Sequence, residues 1–327
     1  MQGLVTVFGG SGFVGAQVVR ALAKRGLRVR IAVRRPNLAY KMRMAGDVGQ
    51  IEIVQANVRD PASVERALDG AEACVNLVAV FHETGRQGFQ AVHALGSRTV
   101  AQAAAKSGVA RYLHMSGIGA DDPDSPSKYV RSRAMGEAEA REAMPGAVIL
   151  RPSVVFGPDD RLFNTLAFLA SISPILPLPG GGATRFQPVF VGDVAAATAA
   201  AVVDPSRAGL TYELGGPAIY SYRELVEIVL RETQRRRVLA PLPFPLATLI
   251  GRVGEWQGKY TPFAPLLTAD QVELLKHDNL PDPALPGLAA LGVTPTPLEG
   301  VVPAYLYRYR NGGQFAEPQA LGGPAGS

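Results

Sequence analysis

Three glycines at three-residue spacing, Gly9, Gly12 and Gly15, lie in the string Gly9-Gly10-Ser11-Gly12-Phe13-Val14-Gly15. The string follows the apolar run Leu4–Phe8 and opens a helical pattern. In that strand–turn–helix setting it suits a nucleotide cradle. Gly9 permits the tight turn, Gly12 lets backbone approach a pyrophosphate, and Gly15 lets helix pack closely on strand. Free N–H groups and the dipole of the helix start, with Ser11, Phe13 and Val14 in that turn, favour phosphates. A glycine turn without a ligand is the plainer alternative.

The end of the second strand selects the cofactor. An NAD site carries Asp or Glu there for the ribose hydroxyls. This chain has Arg34 and Arg35 instead. A guanidinium pairs with a 2′-phosphate through parallel charge-assisted bonds, so NADPH is expected unless the two arginines simply face solvent. Asn57 and Val58 follow the third strand, where an adenine would be met. Leu77, Val78 and Ala79 follow the fourth, under the adenosine ribose, and there ligand contact and ordinary packing are equal readings.

These residues need a scaffold, and β–α alternation supplies it. Strands are expected at Leu4–Phe8, Val29–Val33, Ile51–Gln55, Ala73–Val80, Arg111–Met115 and Ala147–Leu150. Helices are expected at Val14–Lys24, Ala62–Leu68, Phe89–Lys106 and Tyr129–Glu142. The fold class is α/β, a Rossmann-type doubly wound parallel sheet with a smaller C-terminal lobe. Residues 1–160 read as the NADP-binding domain, 161–311 as a smaller lobe with segments returning to the sheet, and 312–327 as a flexible tail. In the lobe, Pro174–Gly182 reads as a loop and Phe186–Val191 as a strand. Helices are expected at Val194–Val203 and Tyr222–Glu232, with a strand at Thr211–Leu214 between them.

With 327 residues, of which 47% are hydrophobic and 19% charged, the chain has ample material for a core, which excludes a wholly disordered protein. A single cysteine, Cys74, cannot form an internal disulfide or ligate an iron–sulfur cluster by itself, and points to a reducing compartment. His82, His93, His114 and His277 lie far apart with no i,i+4 pair, so no metal site is supported, and His114 reads as a core histidine. The first residues lack a signal-peptide pattern, and no run of about 18 uncharged apolar residues is present. The net charge of +5 fits a phosphate-rich ligand or an anionic surface, but is too scattered for nucleic acid.

On VFGGSGFVG, VNLVAV, SKYVRSRAMGE, ILRPSVVFGPDD, FQPVFVGDVA and YELGGP the sequence resembles the extended short-chain dehydrogenase/reductase family. The string LTADQVELLKHDN, Leu267 to Asn279, narrows the resemblance to the nucleotide-binding accessory subunits of respiratory complex I and their bacterial relatives. That resemblance implies NADPH in a structural role, other complex I subunits as partners, and support of assembly or stability. It implies a peripheral place on the cytoplasmic face of a bacterial inner membrane, the lack of a presequence favouring a bacterial or already processed chain.

In active members a tyrosine is general acid/base, a lysine four residues on lowers its pKa, and a serine helps bind the reacting oxygen. The resemblance places Tyr129 and Ser116 at the tyrosine and serine, and Arg133 at the lysine. Arginine keeps the charge but not the point-like ammonium, so Ser116, Tyr129 and Arg133 read as vestigial or as holding the nicotinamide end. The alternative is an active NADP-dependent reductase, dehydratase or epimerase. Arg151, Pro152, Ser153 and Val154 would border the nicotinamide pocket. Asp193 reads more simply as a helix N-cap.

Two surface expectations remain. Leu246, Leu249, Ile250, Val253 and Trp256 form one apolar helical stripe, with Lys259 and Tyr260 beyond it. Segment 241–260 therefore reads either as a membrane or partner contact, or as core of the small lobe. Tyr305, Tyr307 and Tyr309 alternate as in an extended arm, although a final helix fits nearly as well.

Overall fold

In a computed structural model the described residues are 3–85, 87–260, 265 and 267–313, without the side chains of 258–260. The chain runs β1 (Leu4–Phe8), α1 (Phe13–Lys24), β2 (Arg28–Val33), β3 (Ile51–Gln55), α2 (Pro61–Leu68) and β4 (Ala73–Asn76). It continues with α3 (Leu95–Lys106), β5 (Arg111–Met115), α4 (Lys128–Ala143), β6 (Val148–Pro152) and β7 (Val155–Phe156). Then come α5 (Leu162–Ile172), β8 (Ile175–Pro179), β9 (Arg185–Phe186), β10 (Val189–Phe190), α6 (Val191–Val203) and β11 (Thr211–Leu214). The last elements are β12 (Tyr220–Ser221), α7 (Tyr222–Glu232), β13 (Val238–Leu242), α8 (Phe244–Tyr260), α9 (Ala269–Leu274) and the short α10 (Pro303–Leu306).

Seven parallel strands make the main sheet in the order β3-β2-β1-β4-β5-β6-β11. β1 is buried along its whole length, as an apolar run covered on both faces must be. α1 buries Gly15, Val18, Val19, Leu22 and Ala23, the single stripe that 3.6-residue periodicity produces. Strand order reverses between β1 and β4, so the crevice at their carboxyl ends is the place where an open α/β sheet binds ligands. Two apolar clusters pack against the sheet. A third, around Phe156, Phe163, Leu225, Val229 and Leu306, is the core of the smaller lobe.

The structure corrects several sequence expectations. β4 ends at Asn76, and Leu77–Val80 is irregular. Pro174–Gly182 is not all loop: Ile175–Pro179 is a strand pairing in parallel with Val238–Leu242. Leu176 and Leu178 point inward while Ile175 and Pro177 stay exposed, and a two-stranded edge tolerates proline. Phe186–Val191 divides between two partners, β12 for Arg185–Phe186 and β7 for Val189–Phe190. The Phe89–Lys106 helix begins with a π-helical turn at Gln90–Ala94. Tyr305–Tyr309 is helical, not extended, because the Tyr305 ring is buried and its hydroxyl donates to Asp160 Oδ2 at 2.6 Å. Asp193 caps nothing on its own helix: it accepts from the backbone N–H and hydroxyl of Thr296, at 2.6 and 2.9 Å. The tail expected at 312–327 lies, from 314 on, outside the described residues.

Candidate functional site

The glycine turn sits at the carboxyl end of β1, with the start of α1 aimed into the crevice. Gly9 has φ +80°, a left-handed conformation that glycine adopts at no steric cost. Its N–H donates to the Ala32 carbonyl at 3.2 Å, and its own carbonyl accepts from Gly12 N–H at 3.0 Å. A Cβ on Gly15 would lie 2.2 Å from the Gly9 carbonyl oxygen, so helix and turn meet only because none is there. A Cβ on Gly12 would meet only that same oxygen, at 3.4 Å. Gly12 is thus exposed backbone open to a ligand, flanked by Ser11, Phe13 and Val14.

Arg34 and Arg35 are exposed at the carboxyl end of β2, and Arg34 Nη1 donates to Gln87 Oε1 at 2.6 Å. Asn57 turns its side chain onto Arg59 N–H, at 3.2 Å, while Val58 is buried and backs onto Gly96 of α3. Leu77 lies against the turn, its carbonyl carbon 3.3 Å from a Cβ built on Gly9. Val78 N–H is held by Asn76 Oδ1 at 3.2 Å, and Ala79 is half-buried beyond it.

Of the side chains expected at the nicotinamide end, Tyr129 and Arg133 lie together. Tyr129 lies in the first turn of α4, and the Arg133 guanidinium sits 5.8 Å from the centre of its ring. Arg133 is buried with Nε unpartnered, and Ser116, at the end of β5, is buried with an unpartnered hydroxyl. Buried polar groups left without partners cost about 1–3 kcal/mol each. Two of them beside the crevice fit a polar ligand that is not part of the chain. Ser153 is committed elsewhere: its hydroxyl lies 2.7 Å from Asn279 Oδ1 and 3.0 Å from the Asn279 carbonyl. Pro152 and Val154 flank it at the end of β6. Arg151 does not line a pocket, because Glu137 and Glu213 hold it in the interior.

Two residues to which the sequence assigns no role at the site also pack against Tyr129 and its helix turn. Asp270, inside LTADQVELLKHDN, accepts from Lys128 N–H at 2.7 Å, Tyr129 N–H at 3.2 Å and the Ser127 hydroxyl at 3.0 Å. A carboxylate at a helix N-terminus satisfies free N–H groups and favours the dipole. The smaller lobe thereby holds the helix turn that carries Tyr129. His93, in the π-helical turn, is the second. Ser132 Oγ donates to the Tyr129 carbonyl at 2.7 Å, so His93 Nδ1–H donates to Ser132 Oγ at 2.8 Å. His93 Nε2 then accepts Val80 N–H at 3.0 Å. The π turn was the one signal that a sequence pattern of helical spacing conceals. Around His93 and Tyr129 stand Phe89 and Phe81, with Arg161 over the Phe81 ring at 5.5 Å.

Burial, then the charge of Arg133, pushes the His93 pKa down to about 2. The same two causes take the pKa of the buried His114 to about 3. Both histidines are neutral in the fold, whereas an unfolded histidine protonates near 6.5. Below pH 6.5 the unfolded chain therefore binds more protons than the native one. Stability present above 6.5 is lost as pH falls toward 3, by up to about 1.4 kcal/mol per pH unit per histidine. Urea unfolding between pH 7.5 and 5.5 is expected to show a loss of about 1–3 kcal/mol. His114→Gln should flatten the slope; an unchanged slope would contradict the assignment.

The sequence model of the NAD dependent epimerase/dehydratase family matches residues 5–215. NADH dehydrogenase (ubiquinone) 1 alpha subcomplex subunit 9 of Arabidopsis thaliana is 34% identical over 321 residues, 96% of this chain and 80% of that protein. The protein of that name in Mus musculus is 36% identical over 94% of this chain and 80% of its own length. The chain belongs to the NAD dependent epimerase/dehydratase family, among the alpha subcomplex subunit 9 proteins. Within that family the glycine turn and the crevice beside it fit a nicotinamide dinucleotide. A solved NADPH-dependent quinone oxidoreductase of Escherichia coli shares the fold, with TM-score 0.72 and 21% identity over 93% of this chain and 99% of the other.

Proposed function

We propose that this protein is an NADPH-binding accessory subunit of the proton-pumping NADH–quinone oxidoreductase, complex I. The nucleotide is a structural element and not a consumed reagent. The observation that carries the reading is the likeness to complex I subunits through 94–96% of the chain. That span takes in Asp270 and Asn279, whose contacts tie the smaller lobe to Tyr129 and Ser153.

Gly9, Gly12, Gly15 and the turn Ser11–Val14 would hold the pyrophosphate, and Arg34 and Arg35 the 2′-phosphate. Asn57, Val58, Leu77, Val78 and Ala79 would border the adenosine. Ser116, Tyr129, Arg133, Pro152, Ser153 and Val154 would surround the nicotinamide end. When bound, the dinucleotide offers hydride chemistry. Arg133, buried and planar where active relatives of the fold carry lysine, favours holding over turnover. A ligand that binds only the folded state adds about 2.7 kcal/mol of stability at a hundred times its Kd, which suits a subunit that supports assembly.

The stripe Leu246, Leu249, Ile250, Val253 and Trp256 is 47–66% exposed, so it is not lobe core. We assign this face to contact with a membrane surface or another subunit. Lys259 and Tyr260 fall outside the described side chains. Among the described residues no helix is long and apolar enough to cross a membrane. Peripheral attachment at the cytoplasmic face of a bacterial inner membrane fits this reading, and no nucleic-acid role is assigned.

Affinity capture of the chain from detergent-solubilised membranes tests the proposal. The expected result is co-purification with flavin and iron–sulfur subunits, and NADPH released on denaturation. A chain that elutes alone and turns over NADPH with a small carbonyl substrate, activity being lost in Tyr129→Phe, favours the active-reductase alternative. Arg34→Ala with Arg35→Ala should weaken NADPH roughly 10–100-fold by titration, from charge-assisted bonds of about 1.5–3 kcal/mol, and leave NADH nearly unchanged. Equal losses for both nucleotides would refute the 2′-phosphate assignment.

A further inference from the structure

The basic excess is not scattered. Residues 1–46 contain nine Lys and Arg and no Asp or Glu, while the other 281 residues carry 24 cations against 28 acids. These 46 residues fold together as β1, α1, β2 and the 3-10 segment Pro36–Ala45. Among the described residues only Arg30 of the nine has an acid partner, Glu52 at 2.7 Å. Arg20 on α1 and Lys41 on the 3-10 segment both line a recess of about 470 Å³. Gln17, Met44 and Ala45 are among its other lining residues, and Asp159 is the one acid lining it. Neither Arg20 nor Lys41 has an ion-pair partner among the described residues. Apolar side chains in the same stretch of chain are exposed: Leu38 is 65% and Met44, in the recess lining, 85% exposed, with Tyr40 and Val48 also in solvent.

We propose that this basic face docks an acidic segment of a partner subunit, with a carboxylate side chain entering the recess between Arg20 and Lys41. The inference rests on the reading of the chain as a complex I subunit. Charge complementarity selects the occupant, because a recess lined by two cations, Arg20 and Lys41, against the single acid Asp159, set in a stretch of 46 residues without Asp or Glu, repels a basic partner and orients an acidic one. The concavity favours a protein side chain over a bilayer, whose surface does not fill a recess. Exposed Leu38, Tyr40 and Met44 supply the apolar contact that gives a polar encounter its residence time. Ser11, Gly12 and Phe13 also line the recess, so the docked segment would adjoin the glycine turn.

The test uses the tagged full-length chain captured from its own solubilised membranes. Arg20→Glu with Lys41→Glu should lower recovery of the flavin and iron–sulfur subunits at least tenfold. NADPH affinity should hold within twofold. Lys106→Glu with Arg231→Glu, the same charge change on other surfaces, should keep wild-type recovery. Raising salt from 0.05 to 0.5 M should weaken wild-type capture, because screening shortens the reach of charge. Equal recovery by the recess variant and wild type overturns the proposal and leaves the complex I reading standing. A parallel loss of NADPH assigns the recess to the nucleotide, and overturns it too. Unchanged capture with lost binding to phosphatidylglycerol vesicles assigns the face to lipid, and also overturns it. A wild-type chain that captures no redox subunit overturns both readings together.

Discussion

Replacing Arg151 with methionine lowers the free energy of unfolding by about 3–5 kcal/mol. Arg151 Nε and Nη2 each lie 2.8 Å from one oxygen of Glu137, and Nη1 lies 3.3 Å from Glu213. Glu213 Oε2 also accepts Asp282 N–H at 2.7 Å. All three side chains are buried, so removing the cation leaves two carboxylates facing each other in a poor dielectric. The cluster also joins α4, β6 and β11 to the chain near Asp282, so its loss loosens the seat of Tyr129 and Ser153 together. Urea unfolding gives the measurement. The exposed pair Lys106–Glu65, at 2.8 Å, is the control, and Glu65→Gln should change stability by about 1 kcal/mol or less. An Arg151→Met protein as stable as wild type would show that the three charges are solvated in solution.

Gly15→Ala is the second large effect. Its methyl group would lie 2.2 Å from the Gly9 carbonyl oxygen and 2.8 Å from Gly10 Cα, both backbone atoms that cannot rotate away. Helix and turn must separate, at a cost of about 1–3 kcal/mol, and the N–H groups of the cradle move with them. NADPH affinity should fall at least a hundredfold by titration. Gly12→Ala separates the two roles of the motif. Gly12 has ordinary extended dihedrals, φ −75° and ψ 178°, and its added methyl meets protein only at 3.4 Å. Its melting temperature should stay within a few degrees of wild type while NADPH binding drops at least tenfold. If Gly12→Ala binds normally, the pyrophosphate does not approach the backbone there.

The local periodicities of this chain were enough to give its architecture. Apolar runs of period two or none, separated by stripes of period 3.6, specify buried parallel strands and one-sided helices, and a glycine triplet between the first pair specifies the tight turn that joins them. Such signals are short-range, so Leu4–Phe8, Ile51–Gln55, Arg111–Met115 and Thr211–Leu214 carry their own assignment. Ile175–Pro179 does not: its prolines read as loop until Val238–Leu242 supplies a partner some sixty residues away. Tyr305–Tyr309 alternates like a strand, yet the buried Asp160 receives the Tyr305 hydroxyl and fixes a helical turn.

The site divides in the same way. The proposed phosphate-binding role of Gly9, Gly12, Gly15, Arg34 and Arg35 is read from residue types alone, because that chemistry would use contiguous backbone and charge. Only tertiary structure decided that Asp270 caps the helix of Tyr129, that His93 stays neutral between Val80 and Ser132, and that Ser116 and Arg133 are left with unmet hydrogen bonds. It likewise placed Arg20 and Lys41 in the lining of one recess. Each of these depends on distance and burial between segments far apart in the chain, which set protonation and hydrogen-bond satisfaction and leave no local pattern to read.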